Sequence, residues 1–380
     1  VLIASVVAVN QIESQIDKVV TFLIMLSILV VLHEFGHFIV ARRNGVRVNE
    51  FAVGMGPKLF GWTSPRSGTL YSVRAFPIGG FCAMQGEDGK TSEAEQQREF
   101  RETPAAYGTD NFQAKSPWQR LAIVVAGPVA NFILAFLILL VGALAFGVAG
   151  DHPSTTIASV KPGFPAAAAG MKPFAKIVSI DGKTVTDGNQ IVTAFHDSLG
   201  KRLTVVFEQG GTQHTVQISP LACPANRKWG CIGIVPATVY QRVSPGEAFR
   251  DSGIEFVGIG QQIVGGLGLL ITHFTQYGGQ TMGVIGMGQA AGVVQDLGWG
   301  PYFFLAATIS FALGIFNLLP IPALDGGRGA FIIAELIRGK PVDPEKEAFV
   351  HFAGFAALMG LMVLVAAHDI MRIASGNGVM

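Results

Sequence analysis

Apolar residues gather along this chain in four long blocks, not in the short alternating or every-third-or-fourth patterns of a soluble domain. The blocks run Val19–Ala41, Leu121–Ala149, Pro301 to about Leu324, and about Ala348 to Ala367. A helix needs about 20 mostly apolar residues to cross the hydrocarbon core of a bilayer, so each block predicts a spanning helix. The second carries no charge, the first is interrupted by His33, Glu34 and His37, and the third ends in the proline-broken stretch NLLPIPALDGG. A short apolar run over the first residues lacks the basic leader of a signal peptide, and its role stays open.

Polar stretches between the blocks set the expected sidedness. Arg42, Arg43, Arg47, Lys58, Arg66 and Arg74 lie between the first two blocks, and Arg338, Lys340 and Lys346 between the last two. Basic residues favour the cytoplasmic side, and with four crossings both groups fall there. Both termini and the long segment from Gly150 to Gly300 are then extracytoplasmic. Within that segment the strand-like runs TTIASV, AKIVSI, LTVVF and HTVQI surround a helix-like NQIVTAFHDSL, with turn signals at Asp181-Gly182 and Gly210-Gly211. These predict a small α+β module. Beyond it, Ser244-Pro245-Gly246-Glu247 reads as a capping box opening a mostly apolar, glycine-containing helix to about Phe274. Its few polar residues suit an amphipathic helix on the membrane, with a fifth crossing as the alternative. The expected division is 1–150 for the N-terminal membrane part, 151–222 for the module, 223–300 for linker and amphipathic helix, and 301–380 for the C-terminal membrane part.

Composition agrees with the bilayer reading: half the 380 residues are apolar, 14% are charged, and mean hydropathy is +0.45. A formal charge of +1 leaves no basic stripe, so nucleic acid is not an expected partner. The 48 glycines suit close helix packing. Cys82, Cys223 and Cys231 form no CxxC metal knuckle, so any metal must use other ligands. Cys223 and Cys231 fall outside the cytoplasm and close enough in sequence to pair as a disulfide, with Cys82 left as a free thiol.

The candidate chemistry sits in the first block. His33-Glu34-Phe35-Gly36-His37 places two imidazoles one helical turn apart on one face, within reach of a single Zn²⁺, with Glu34 placed to act as general base. Three ionisable groups in one turn of a spanning helix are costly to bury, which favours function over a packing role. Catalytic zinc takes three protein ligands and keeps one open position. Asp325 is the candidate third ligand: Pro320 and Pro322 break the helix before it, and Gly326-Gly327 let the backbone turn after it. Capping the next helix is the bland reading of Asp325, and its pairing with the histidine motif favours the ligand.

This combination resembles the site-2 protease family of intramembrane zinc metalloproteases, in its bacterial RseP-type branch with a single PDZ-like domain. The histidine motif, GPVANF (Gly127 to Phe132) and NLLPIPALDGGR (Asn317 to Arg328) appear in the family's order. FAVGMGPKLF (Phe51 to Phe60) and YSVRAFPIGGFCAMQGED (Tyr71 to Asp88) are similar to its cytoplasmic-side elements, the latter to its membrane re-entrant β-loop. The resemblance implies a polytopic α-helical membrane protein of about four transmembrane helices, with that loop and one extracytoplasmic α+β PDZ-like domain. It also implies one Zn²⁺ per chain held by His33, His37 and Asp325, with Glu34 as base. Asn317 then positions substrate or stabilises the tetrahedral intermediate, against a bland reading as a helix-packing amide.

Tyr71, Val73 and Phe76 would pair with an unwound substrate by strand addition, with Gly79 and Gly80 giving the turn, or belong to an ordinary hairpin. The expected substrates are single-pass membrane proteins, such as anti-sigma factors or signal-peptide remnants, trimmed beforehand by another protease. The expected setting is a bacterial inner (cytoplasmic) membrane, with the zinc site toward the cytoplasm and the PDZ-like domain excluding untrimmed substrates by size. That domain departs from the family where FPAAAAGM (Phe164 to Met171) leads to Phe174-Ala175 in place of Gly-Asp, a departure at a turn position that glycine favours. The competing classes are a catalytically inactive membrane scaffold, against which the complete ligand set argues, and an ion-conducting transporter, against which the lack of an inverted repeat argues.

Overall fold

A computed structural model describes residues 2–87, 109–223, 227–273 and 283–374. Asp88, the last residue of the expected β-loop stretch, lies outside them. The chain divides into a membrane unit, residues 1–139, 252–292 and 303–376, and a second unit built mainly from residues 140–251.

The membrane unit starts with α1 (Leu2–Arg43), so the first apolar run continues directly into the first span. A long hairpin, β1 (Val48–Thr63) and β2 (Leu70–Met84), follows, and then α2 (Pro117–Phe146). Among the described residues, five helices are long and apolar enough to cross a membrane, where four were expected. The addition is Pro245–Thr272, the helix read above as amphipathic. On α2, Ile133, Leu137, Val141 and Leu144 are all about half exposed and recur every three to four residues. Such an apolar stripe would be a solubility liability in water and is the expected face toward lipid.

Small residues bring the helices together. A β-carbon at Gly36 of α1 would collide with the Ala126 carbonyl of α2. Ala135 and Leu139 of α2 pack with Ile259 and with Ala307 and Phe311, and the Phe311 ring meets Phe132 and Phe256 edge-on. Ile259 belongs to α5 (Pro245–Thr272), and Ala307 and Phe311 to α7 (Trp299–Leu318). Between them lies α6 (Val284–Asp296), whose first turn is pinned by Asp369 of α9 (Pro344–Ala374), accepting from the Gly283 and Gly286 amides at 3.0 and 2.9 Å. The amphipathic α8 (Asp325–Arg338) sets Ile332 against Phe38, Ala41, Ile123 and Val124.

The second unit carries a six-stranded sheet ordered β10-β3-β4-β6-β7, with β5 paired on β4. The strands are β3 (Val148–Val160), β4 (Lys176–Ile180), β5 (Lys183–Thr184), β6 (Leu203–Gln209), β7 (Thr212–Ile218) and β10 (Ile234–Gln241). Leu203, Val205 and Phe207 alternate inward on β6 and pack with Ile157, Ile177, Ile191 and Phe195. Ile191 and Phe195 come from α4 (Gly188–His196), capped by Asp187, and the one-turn α3 (Pro165–Ala168) adds Ala166 to the same core.

The expected boundary at 222 falls short, because β10 pairs with β3 and extends the sheet into the expected linker. Cys223 and Cys231 join as a disulfide across the short pair β8 (Leu221–Ala222) and β9 (Gly230–Cys231), while Cys82 is free and buried. Pro236 in β10 is compatible with its edge position.

Phe174 takes φ +68° and is 59% exposed. A bulky side chain in the left-handed region costs about 1–2 kcal/mol, whereas the extra freedom glycine gains in the unfolded chain costs about 0.4–1 kcal/mol. Phe174→Gly is therefore expected to stabilise this domain by roughly 0.5–1 kcal/mol. Amide hydrogen exchange of β4 and β6 in the full chain should slow. Faster exchange would show that the exposed ring supplies packing worth more than the strain.

Candidate metal centre

The i, i+4 spacing in α1 turns both imidazoles toward α2, where Gly127 makes room for them. A β-carbon there would strike His37 and His33 together, which gives the glycine of GPVANF its physical reason. The buried Nε2 atoms of His33 and His37 are 3.2 Å apart. Asp325 Oδ2 lies 3.0 Å from the first and 3.3 Å from the second. Three ligand atoms, two from α1 and one from the segment after α7, thus meet at one point.

That meeting depends on how the chain breaks after α7. Ala323 sits at φ +75°, and its amide donates to His351 Nδ1 of α9 at 2.9 Å. Gly326 and Gly327 lie so close to the Leu319 and Ile321 carbonyls that any β-carbon would clash. The N-cap of α8 is Leu324, without a side-chain cap, and Asp325 is the first helical residue. Its carboxylate reaches the histidines, so capping does not account for it.

The donor set fits a zinc ion. Ligands about 2.0–2.1 Å from a tetrahedral ion lie roughly 3.3 Å from one another, close to the three separations found. Asp325 Oδ2 is buried and, among the described residues, makes no hydrogen bond of good geometry despite two nearby nitrogens, as expected of an atom aimed at a cation. His37 Nδ1 lies 2.8 Å from the Ile123 carbonyl, the outer contact that holds a ligating imidazole with its Nε2 lone pair inward.

Glu34, one residue after His33, accepts the main-chain N–H of Cys82 in β2 at 3.0 Å. Burial, reinforced by the Glu34 and Glu87 carboxylates, pushes the Cys82 thiol up, so it stays protonated and is not a nucleophile. Glu87 also pairs with Arg328 of α8, and Arg120 of α2 with Glu335 of α8 at 2.6 Å. These ion pairs tie the hairpin and α2 to the helix that presents Asp325. Asn317 is half-buried in the last turn of α7.

The hairpin differs from its sequence reading. Tyr71 lies opposite both Phe51 and Trp62, and Val73 opposite both Val53 and Phe60, so this stretch is already paired on two sides. Phe76 lies opposite Met55. Gly79 and Gly80 lie where β2 folds back on itself: Val53 is opposite both Val73 and Gly80, and Gly79 takes φ +75°. They lie within β2 and bring it close to Val30 and Val31 of α1, with Gly80 also against the Ala52 carbonyl. The strand segment at the metal centre is instead Gly80 to Met84. Gly127, Asn131 and the Cys82 amide have no role in the sequence reading. Only the fold brings Gly127 and Asn131 to the histidines and the Cys82 amide to Glu34.

Residues 21–361 match the profile of peptidase family M50. The zinc metalloprotease RasP of Geobacillus kaustophilus is 30% identical over 94% of this chain and 98% of its own. The regulator of sigma-W protease RasP of Bacillus subtilis is 30% identical over 94% of this chain and 99% of its own. Among solved structures, the PDZ domain of an SdrC-like protein from Listeria monocytogenes matches 23% of this chain and 93% of that domain, at 20% identity and TM-score 0.20.

Proposed function

This chain belongs to peptidase family M50, and from that premise we propose how its residues divide the work of an intramembrane protease. The chain is a membrane-embedded zinc metalloprotease. His33, His37 and Asp325 hold one Zn²⁺ per chain, and the observation that carries this reading is the convergence of their three ligand atoms within 3.0–3.3 Å. Bound there, zinc acidifies a water to a pKa of about 7 and polarises the scissile carbonyl. Glu34 accepts the water's proton and returns it to the leaving amine, and the Asn317 amide donates to the oxygen on which charge develops.

The substrates are single-pass membrane proteins, in keeping with the sigma-W regulation in one relative's name. A helix hides its amides, so a substrate must be drawn out as a strand before a carbonyl reaches the metal. The Gly80 to Met84 edge supports such pairing, because the Cys82 N–H already points toward the base. A substrate carbonyl that takes this N–H sets Glu34 free for the water. Hydrolysis occurs toward the cytoplasmic side of a bacterial cytoplasmic membrane. The extracytoplasmic PDZ-like domain, joined in sequence to α2 and α5, excludes substrates that another protease has not trimmed.

Cys82→Pro removes the amide, and Cys82→Ala keeps it. In lipid nanodiscs with a single-pass substrate, proline is expected to lower kcat/KM at least about tenfold, the equivalent of one lost hydrogen bond in the transition state. Alanine should cleave like the parent, and both should retain zinc. In the same assay the substrate with its outer domain removed is cut and the intact form is not. A proline variant as active as the parent would refute strand addition here, and equal cleavage of both substrates would refute size exclusion.

A further inference from the structure

Asn131 of α2 is fully buried, and its side-chain Nδ2 stands 3.1 Å from His33 Nδ1; a half-turn of the amide would exchange its nitrogen and oxygen at the same place. Its main-chain carbonyl accepts from Ser310 Oγ of α7 at 2.9 Å. The main chain thus bridges two helices, and the side chain is left for the imidazole. Its Oδ1, at the far end of the amide, has no partner among the described residues, so no other contact there decides which way the amide faces.

The chemistry of His33 decides it. His33 Nε2 faces Asp325 and His37 Nε2, so a ligating His33 needs its lone pair on Nε2 and its proton on Nδ1. His37 meets the same need by giving its Nδ1 proton to the Ile123 carbonyl. For His33 the Asn131 amide stands where such an acceptor is required. With its nitrogen toward Nδ1, the amide would force the imidazole proton onto Nε2, against the metal.

We propose that Asn131 is a positioning residue for the metal centre, its side-chain carbonyl accepting the Nδ1 proton of His33 and fixing that ring with the Nε2 lone pair toward zinc. The inference rests on His33 being a zinc ligand. The two histidines then have different outer partners: a main-chain carbonyl that no substitution removes for His37, and a replaceable side chain for His33. The asparagine of GPVANF acquires a role that a generic helix-bridging amide would not have.

The test is zinc affinity of the full chain in nanodiscs, by competition with a chromogenic chelator, for the parent, Asn131→Leu, Asn131→Asp and His33→Ala. Asn131→Leu keeps the size and loses the acceptor, and is expected to weaken zinc about 10–100-fold, the usual effect of removing an outer partner of a ligating histidine. Asn131→Asp keeps an acceptor and should hold zinc within about threefold of the parent, since a carboxylate commonly fills this place. Thermal unfolding of the metal-free forms should match the parent, a result that a packing role would not give. Parent-like affinity in Asn131→Leu, or equal losses in both Asn131 variants, would overturn the inference. Zinc retained by His33→Ala would overturn the ligand assignment beneath it, a separate failure.

Discussion

Asp325→Asn is expected to empty the metal centre. The carboxylate is the only charged ligand of the proposed set, and its Oδ2 sits 3.0 and 3.3 Å from the two histidine nitrogens. An amide of the same shape fills the same space between Leu324 and Gly326, so the turn after α7 survives, but its neutral oxygen is a poor zinc ligand. The loss should exceed the 10–100-fold typical of outer partners, reaching about 100-fold or more in affinity. Elemental analysis after dialysis against a mild chelator should find near-stoichiometric zinc in the parent and little in the variant. Equal zinc in both would remove Asp325 from the ligand set.

Much of this centre is legible in the sequence because its parts are local. Two imidazoles and a carboxylate in one helical turn are a property of spacing alone. Asp325 stands out because prolines and glycines bracket it in an otherwise apolar stretch. Asn131 and Gly127 are different. Nothing in their neighbourhood separates a zinc-directed amide or a cleared space from ordinary helix packing, and their roles exist only once α2 lies against α1.

The misreadings have physical causes as well. The Gly79-Gly80 pair does mark a turn, but the run before it is covered on both sides, Tyr71 by Phe51 and Trp62, through pairings that local pattern does not carry. The helix Pro245–Thr272, for which the sequence leaves crossing as the alternative to lying on the membrane, is long and apolar enough to cross. The pairing of β10 with β3 joins residues distant in sequence, and local pattern does not carry such a pairing. Phe174 does take the positive φ that glycine favours, so the departure from Gly-Asp strained the turn without abolishing it.

Glu34→Gln separates binding from chemistry. Glutamine has the shape of glutamate and its side-chain oxygen can still accept the Cys82 N–H, so α1, β2 and the three ligands should stay in place. It cannot accept a proton from water. Loss of a general base costs about 10²–10⁴ in rate, so cleavage should fall by that factor with the metal undisturbed. The decisive measurement is zinc content and peptide-bond cleavage on the same preparations of parent and Glu34→Gln in nanodiscs. We expect about one zinc per chain in both, as a single three-ligand site requires, and cleavage of the single-pass substrate only by the parent. Cleavage by Glu34→Gln at the parent's rate, with zinc bound, would contradict the account.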